Sequence, residues 1–219
     1  MTSSWDGSYT GAAPAPWDIG RPQPAFVRLA EEGKLSGRVL DVGCGTGEHT
    51  LLAASRGADA TGIDIAGPAI ERARAKAAER GVRAEFEVGD ALDLGRLGAT
   101  FDTLVDSGVF HVFSDEDRPR YVASLASVLR PGGSLYLMCF SDREPGDLGP
   151  RRVREDELRA AFADGWVIDS IIADTFDINP GTFPGETAQA WRCAIRRTAE
   201  MTTEPSKRMR RLPRRHPTP

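Results

Sequence analysis

The sequence predicts an α/β fold, an open parallel sheet with helices on both faces. Three observations carry that prediction. Short apolar segments alternate with amphipathic ones along residues 38–140. A glycine-rich turn, Gly43-Cys44-Gly45-Thr46-Gly47, joins the first of these strands to the helix after it. The chain has 219 residues, 40% hydrophobic and 27% charged, which is the size and composition of one globular α/β domain and excludes wholesale disorder.

Each element has a local reason. Residues 1–16 are rich in Ser, Gly, Ala and Pro, and are expected to be mobile as far as Trp17. Over 23–32, Ala25, Phe26, Leu29 and Ala30 share one helical face, and Gly33 ends the helix. Residues 38–42 form an apolar strand that runs into the glycine turn, and 48–55 form the next helix, closed near Gly57. A second strand covers 58–65 and ends at Asp64. Pro68 starts a helix over 69–80 that Gly81 stops. Strands over 83–88 and 101–106 are followed by Gly89-Asp90-Ala91 and by Ser107-Gly108-Val109-Phe110-His111. A helix over 119–129 leads to Pro131-Gly132-Gly133, expected to turn the chain into a fifth strand over 134–140. A polar loop, a helix around 155–162 and two β-rich segments, 166–176 and 189–196, complete the reading. Residues 1–16 are thus a flexible N-terminus, 17–198 one domain with a lid segment over 17–34, and 199–219 a tail whose composition is that of disordered chain.

Charge is unevenly spread. There are 28 basic and 32 acidic residues, a net charge of −4. From Glu200 onward six basic residues face two acids, so the tail is about +4 and the body about −8. An acidic body binds polyanions poorly, so nucleic acid is not expected as a partner. Cys44, Cys139 and Cys193 form no C-x-x-C, and His49, His111 and His216 fall at no ligand spacing, so neither a disulfide framework nor a metal is expected. No apolar run approaches the roughly 18 residues of a membrane span. The first twenty residues lack the basic start and apolar centre of a signal peptide, which points to the cytoplasm.

In an open parallel sheet, ligands bind at the carboxyl ends of the strands. A dinucleotide fingerprint G-x-G-x-x-G starting at Gly43 needs glycine at position 48, where this chain has Glu48. A carboxylate at that helix start also opposes a pyrophosphate. The acids at the strand ends suggest a different ligand. Asp64 is placed to accept from two vicinal ribose hydroxyls, although alone it would also serve as a helix cap. Asp90 suits an exocyclic adenine amine, with the Ala91 amide on a ring nitrogen. Asp41 and the residues after the fourth strand lie near the other end, where a carboxylate suits a cationic chain, although Asp41 could also hold the loop. An adenosine with a zwitterionic, phosphate-free tail is S-adenosylmethionine.

In these elements the chain resembles the class I S-adenosylmethionine-dependent methyltransferases. The matching stretches are Val39-Leu40-Asp41-Val42-Gly43-Cys44-Gly45-Thr46-Gly47, Gly62-Ile63-Asp64-Ile65, Val88-Gly89-Asp90-Ala91, Phe101-Asp102-Thr103-Leu104-Val105-Asp106 and Leu129-Arg130-Pro131-Gly132-Gly133. They span roughly residues 35–140 in the family's order. The resemblance implies a Rossmann-like, doubly wound sheet of seven strands, mostly parallel with a late antiparallel strand. It implies S-adenosylmethionine as the cofactor, held by Gly43, Cys44, Gly45 and Gly47 of the loop, by Asp41, Asp64 and Ile65, and by Asp90, Ala91 and Asp106.

The acceptor is less sharply written. Residues 16–24, with Trp17, resemble the entrance segment of the thiopurine, thiol/halide and heterocyclic-toxin methyltransferases of small molecules, in which the tryptophan lies across the cofactor. The plainer alternative is that Trp17 staples the first helix to the body. Residues 106–113 contain neither the Asn/Asp-Pro-Pro-Tyr/Phe motif used on nucleic-acid bases nor the paired glutamates of protein arginine methyltransferases. Phe110 and Phe113 suit the wall of a pocket for a flat acceptor, although Phe113 is read rather as core, and Phe140 and Phe183 are weaker candidates for the same wall. His111, with an ordinary pKa of about 6.5, is the candidate base for a less acidic hydroxyl. A thiol or acidic phenol is already partly ionised and needs none. Small-molecule methyl transfer by a monomer or weak homodimer is the expected activity. Methylation of RNA or protein, with the basic tail as an arm, and cofactor binding without catalysis are the alternatives.

Overall fold

The computed structural model describes residues 3–11, 13–181 and 185–199. Phe183 and the basic residues of the tail lie outside the described residues.

Four parallel strands follow the apolar segments closely: β1 (Arg38–Val42), β2 (Asp59–Asp64), β3 (Glu85–Val88) and β4 (Phe101–Ser107). They are joined by β5 (Leu129–Phe140), β6 (Trp166–Asp177) and β7 (Thr187–Arg197) into one seven-stranded sheet of order β3-β2-β1-β4-β5-β7-β6. Only β7 runs against its neighbours, β5 and β6. The order reverses between β1 and β4, which opens a crevice at their carboxyl ends.

Period-two alternation assigns each strand residue to a face. Leu40, Val42, Leu104, Leu135 and Leu137 pack under α5 (Arg118–Val128) with Tyr121 and Leu125. Val39, Val105, Tyr136 and Met138 point the other way, onto α2 (Pro24–Glu31) through Phe26 and Leu29 and onto α3 (Glu48–Ser55) through Ala53. A third cluster joins α3 to α4 (Gly67–Arg80) through Leu51, Ile70, Ala73 and Phe86. The predicted punctuation acts as read, with Pro68 in the first turn of α4 and Gly81 left-handed at its end. The short α6 (Glu155–Ala161) buries Leu158 in the first cluster. No helix among the described residues is long and apolar enough to cross a membrane.

Two expectations are corrected. β5 starts at Leu129, so Pro131-Gly132-Gly133 lies inside the strand as a bulge instead of a turn before it. The register shows this: Phe101 faces Leu129, yet Thr103 faces Ser134. The segment expected to be mobile carries a helix, α1 (Ser3–Thr10). Its own propensity is poor, and it is held by tertiary packing of Tyr9 against Ala66 and Ala69 at the start of α4.

A candidate active site at the carboxyl edge

The crevice deepens into a cavity of about 820 Å³, large enough for a nucleoside cofactor together with a small acceptor. At one end it meets the loop after β1, the end of β2 and the turn after β3. At the other end it meets the loop after β4 and the ends of β5 and β6.

The first end is acidic. Asp64 is buried, and its two carboxylate oxygens accept from the amides of Gly45 at 2.9 Å and Ala66 at 2.8 Å. It therefore ties the first loop to the second while lining the cavity, and it does not cap α4. Burial raises its pKa, against the lowering pull of those two amides. Asp90 is exposed on the wall; its Oδ1 accepts from the Leu92 amide at 2.8 Å and caps the turn over Ala91–Leu97. Gly45 is left-handed, and a Cβ there would come within 3.1 Å of the Tyr9 hydroxyl, so the backbone itself forms the floor under α1.

The roof comes from the N-terminal segment. The Trp17 indole N–H donates to the Tyr9 hydroxyl at 3.0 Å, and its ring meets Trp5 edge-on at 5.9 Å. Trp17 is 47% exposed and lines the cavity with Trp5 and Tyr9. Burial, then the nearby Asp64 charge, pushes the Tyr9 phenol well above its usual range. The segment after Trp17 is clamped at both sides. The Thr46 hydroxyl donates to Asp18 at 2.7 Å, and the Asn179 amide side chain donates to the carbonyls of Ala15 and Asp18. Gln23 donates to the Asp177 carbonyl and accepts from the Asp177 amide.

Glu48 is buried and forms ion pairs with Lys76 at 2.8 Å and Arg80 at 2.7 Å. Burial opposes its ionisation, but the Arg80 and Lys76 hydrogen bonds prevail and hold its carboxyl below the usual range. Its charge is thus neutralised within the protein, so what excludes a pyrophosphate here is the side chain in the place of a glycine. Lys76 and Arg80 are engaged by Glu48, which leaves Asp18, Asp64, Asp90 and the buried, unpaired Oδ1 of Asp6 as ionisable oxygens near this end. Those acceptors suit hydroxyls, an amine and a cationic tail, and their charge opposes a phosphate.

The second end is aromatic. His111 meets Phe140 edge-on at 5.2 Å and Phe176 at 6.2 Å, and Phe140 meets Phe176 at 5.7 Å. His111 is buried, and its Nδ1 accepts from the Phe140 amide at 2.9 Å. Burial, followed by the charges of Arg152 and Arg118, pushes it down to about 3. His49 faces the cavity from α3, its ring tilted against Phe26 at 4.6 Å, and its Nε2 accepts from the Gln23 amide at 3.1 Å. Burial lowers it to about 4.

Of the residues singled out in the sequence, Trp17, Gly43, Cys44, Gly45, Asp64, Ile65, Asp90, Ala91, His111 and Phe140 come together on this cavity. Four others do not reach its wall. Asp41 lies beneath the loop, where it accepts from the amide and hydroxyl of Thr50 at 3.0 and 2.7 Å, and burial raises it to about 7. Gly47 faces Phe86 and Ala73, where a Cβ would come within 2.9 Å of each, so it serves the packing of α3 on α4. Asp106 accepts from the amides of Val109 and Phe110 and from the Tyr121 hydroxyl at 2.8 Å, which shapes the loop after β4 from below; burial raises it to about 7. Phe110 is fully buried between Phe162 and Arg118, where it cannot wall the cavity. Phe113 packs on the core against Tyr121 at 4.6 Å, as expected, and also lines the cavity.

Sequence reasoning missed Trp5, Tyr9, Gln23, Phe176 and Asn179. The aromatic pair Trp5 and Tyr9, one helical turn apart, was the available signal. The other three depend on β6, whose end reaches this edge only through the long-range pairing with β7. No group of three or more metal-ligating side chains occurs among the described residues.

A family model described as a methyltransferase domain matches residues 39–133. A 2-heptyl-1-hydroxyquinolin-4(1H)-one methyltransferase of Mycobacteroides abscessus is 38% identical over 180 residues, covering 78% of this chain and 79% of the relative. A structure solved in work on the conversion of a disulfide bond into a thioacetal group during echinomycin biosynthesis is 39% identical, with a TM-score of 0.83, covering 91% of this chain and 94% of that one. The magnesium protoporphyrin IX methyltransferase of Synechocystis, solved with bound S-adenosylmethionine, is 25% identical with a TM-score of 0.60, covering 78% of this chain and 76% of that one. With the strand order, the acidic nucleoside end and these likenesses in place, the chain belongs to the class I S-adenosylmethionine-dependent methyltransferases, and S-adenosylmethionine is its cofactor.

Proposed function

We propose that the protein methylates a heteroatom of a small aromatic, heterocyclic, phenolic or thiol acceptor by in-line displacement. The observation that supports this reading most is the aromatic end of the cavity, where Phe113, Phe140, Phe176 and His111 surround a space next to the cofactor end. Flat apolar walls with one polar group suit a planar acceptor held by its faces and oriented at one atom. The quinolone named for the Mycobacteroides abscessus relative is an acceptor of this class.

In this reading Asp64 holds the ribose, Asp90 and the Ala91 amide hold the adenine, and Trp17 with Tyr9 closes over the nucleoside. When bound, S-adenosylmethionine supplies a sulfonium-activated methyl carbon, to which the acceptor's lone pair bonds as the carbon–sulfur pair stays on sulfur. The protein's part is alignment and exclusion of water, worth far more to such a displacement than acid–base assistance. The loop after β4, fixed from below by Asp106, sets the depth of the acceptor beside His111.

The test is a methyl-transfer assay with labelled S-adenosylmethionine over phenols, thiols, hydroxyquinolones and azaheterocycles, beside RNA and protein substrates. Turnover of planar small acceptors is expected. Label that appears only in RNA or protein would overturn the reading, as would tight cofactor binding with no transfer to any substrate.

A further inference from the structure

His111 has the place of a base but not the bonding of one. The Phe140 amide, at the end of β5, donates to its Nδ1 at 2.9 Å. A backbone amide can only donate, so Nδ1 carries the lone pair and, in the neutral ring, the proton is on Nε2. Phe140 and Phe176 hold the ring edge-on. Nε2 lies beside Gly108, where a Cβ would come within 3.4 Å of it, and both residues line the cavity. No acceptor for the Nε2 proton occurs among the described residues, although His111 is only 7% exposed. It is a buried donor whose open side is the acceptor end.

To act as a base, the ring would have to change its protonation in one of two ways. The ring could become a cation, which its burial and the charges of Arg152 and Arg118 oppose, consistent with its pKa being pushed down to about 3. Alternatively the Nε2 proton could move to Nδ1, which would set two N–H groups against each other at Phe140. Neither is favourable. The surroundings also favour an anion. The Arg152 guanidinium lies 5.5 Å from the Phe140 ring centroid and donates to the carbonyls of Glu144, Pro145, Leu148 and Pro150. No carboxylate among the described residues pairs with it, whereas Arg118 is balanced by Glu157 at 3.0 Å.

We propose that His111 is a fixed hydrogen-bond donor to the reacting heteroatom, and that the site takes acceptors that have already lost their proton in water. The proposal rests on the reading of the aromatic end as the acceptor site. The substrate class follows: heteroaromatic hydroxyls and thiols acidic enough to be ionised near neutral pH. The acceptor's proton goes to solvent before the acceptor is seated. The Nε2–H then orients the anion, and transfer of the methyl group discharges it.

Three measurements test this on the full chain. Nitrogen-15 histidine spectra, with His111 assigned by difference from His111→Gln, should show the Nε2–H tautomer with no titration from about pH 5 to 9. A midpoint inside that range, or a proton on Nδ1, overturns the proposal. The apparent pKa of kcat/KM, measured for three acceptors of different acidity, should follow the acidity of each; one shared value would mean an enzyme base. His111→Phe keeps the ring without a donor and should weaken acceptor binding tenfold or more. His111→Gln keeps an N–H but has no basic nitrogen, and should stay within about threefold of wild type. Equal losses in the two variants, with unchanged S-adenosylhomocysteine affinity as the folding control, refute the donor role. If the wild-type protein binds no acceptor of the panel, the reading of the aromatic end fails and the acceptor class with it. The spectra still decide the tautomer.

Discussion

Asp64→Asn separates the two tasks assigned to this carboxylate. Asparagine has the same shape but one acceptor oxygen, so it can keep only one of the amides of Gly45 and Ala66 and turns an NH2 group toward the other. A hydrogen bond to a charged group contributes about 1.5–3 kcal/mol, so urea unfolding of the cofactor-free protein should show a loss of about that size. The second task is recognition of the cofactor. Loss of a charged acceptor for a ribose hydroxyl should weaken S-adenosylhomocysteine at least tenfold by calorimetry. The two effects combine in a thermal shift. At a ligand concentration one hundred times the wild-type Kd, binding stabilises wild type by about 2.7 kcal/mol, and a tenfold weaker variant by only about 1.4 kcal/mol. An unchanged Kd would refute the ribose assignment while leaving the loop-tying role standing. Unchanged unfolding would do the reverse.

Other perturbations probe the roof, the loop and the buried charges. Trp17→Ala removes the hydrogen bond to Tyr9 and the edge contact with Trp5, together about 2 kcal/mol. The KM for S-adenosylmethionine should rise about tenfold and Tm should fall by roughly 4–8 °C; a lower Tm with normal kinetics would restore the role of a mere staple. Gly47→Ala forces a Cβ into contact with Phe86 and Ala73 at a φ of 86°, and chemical denaturation should show a loss of at least about 2 kcal/mol. A fully stable variant would show that α3 can move off α4.

Four buried groups with large shifts dominate the pH dependence, with raised Asp64 and lowered Glu48 adding in opposite senses. His49 and His111, lowered to about 4 and about 3 from 6.5, gain protons on unfolding below pH 6.5, so they cost stability as pH falls. Asp41 and Asp106, raised to about 7 from 3.8, release protons on unfolding between those values, so they cost stability as pH rises. The pairs oppose each other, and stability should be nearly flat from about pH 4.5 to 6.5. Asp41→Asn removes one acid and should uncover a fall of about 1.4 kcal/mol per pH unit toward acid, read by urea unfolding at several pH values. A wild-type slope as steep as that of the variant would contradict the assignment.

The part of the molecule built from short-range signals is legible in the chain. The bounds of β1 and α3 coincide with those expected, because glycines bracket them and their apolar periods are clean. The places of the glycine loop, Asp64 and Asp90 on the cavity follow for the same reason, since a strand end in a parallel sheet has one place to be. Orientation across an element is not local. Whether Asp41 faces a ligand or the next helix depends on Thr50, and whether Phe110 or Phe113 enters the cavity depends on the core position of Phe162. The helix α1 is hidden for another reason: Ser and Gly signal a loop, and only the contact of Tyr9 with the start of α4 overrides them.

The reversed strand β7 has a consequence for how the site comes into being. Because β6 joins the sheet through β7 alone, Phe176 and Asp177 have no fixed place until β7, later in the chain, has paired with β5. The strands that carry Asp64 and Asp90 to the cavity, β1 to β4, all lie before residue 108, so they are made well ahead of β7. The aromatic end of the cavity and the hydrogen bonds of Gln23 to Asp177 wait for pairings such as Cys139 with Trp191. A chain arrested before residue 187 would therefore hold β1 to β5 without the strand that fixes Phe176 and Asp177 at the cavity.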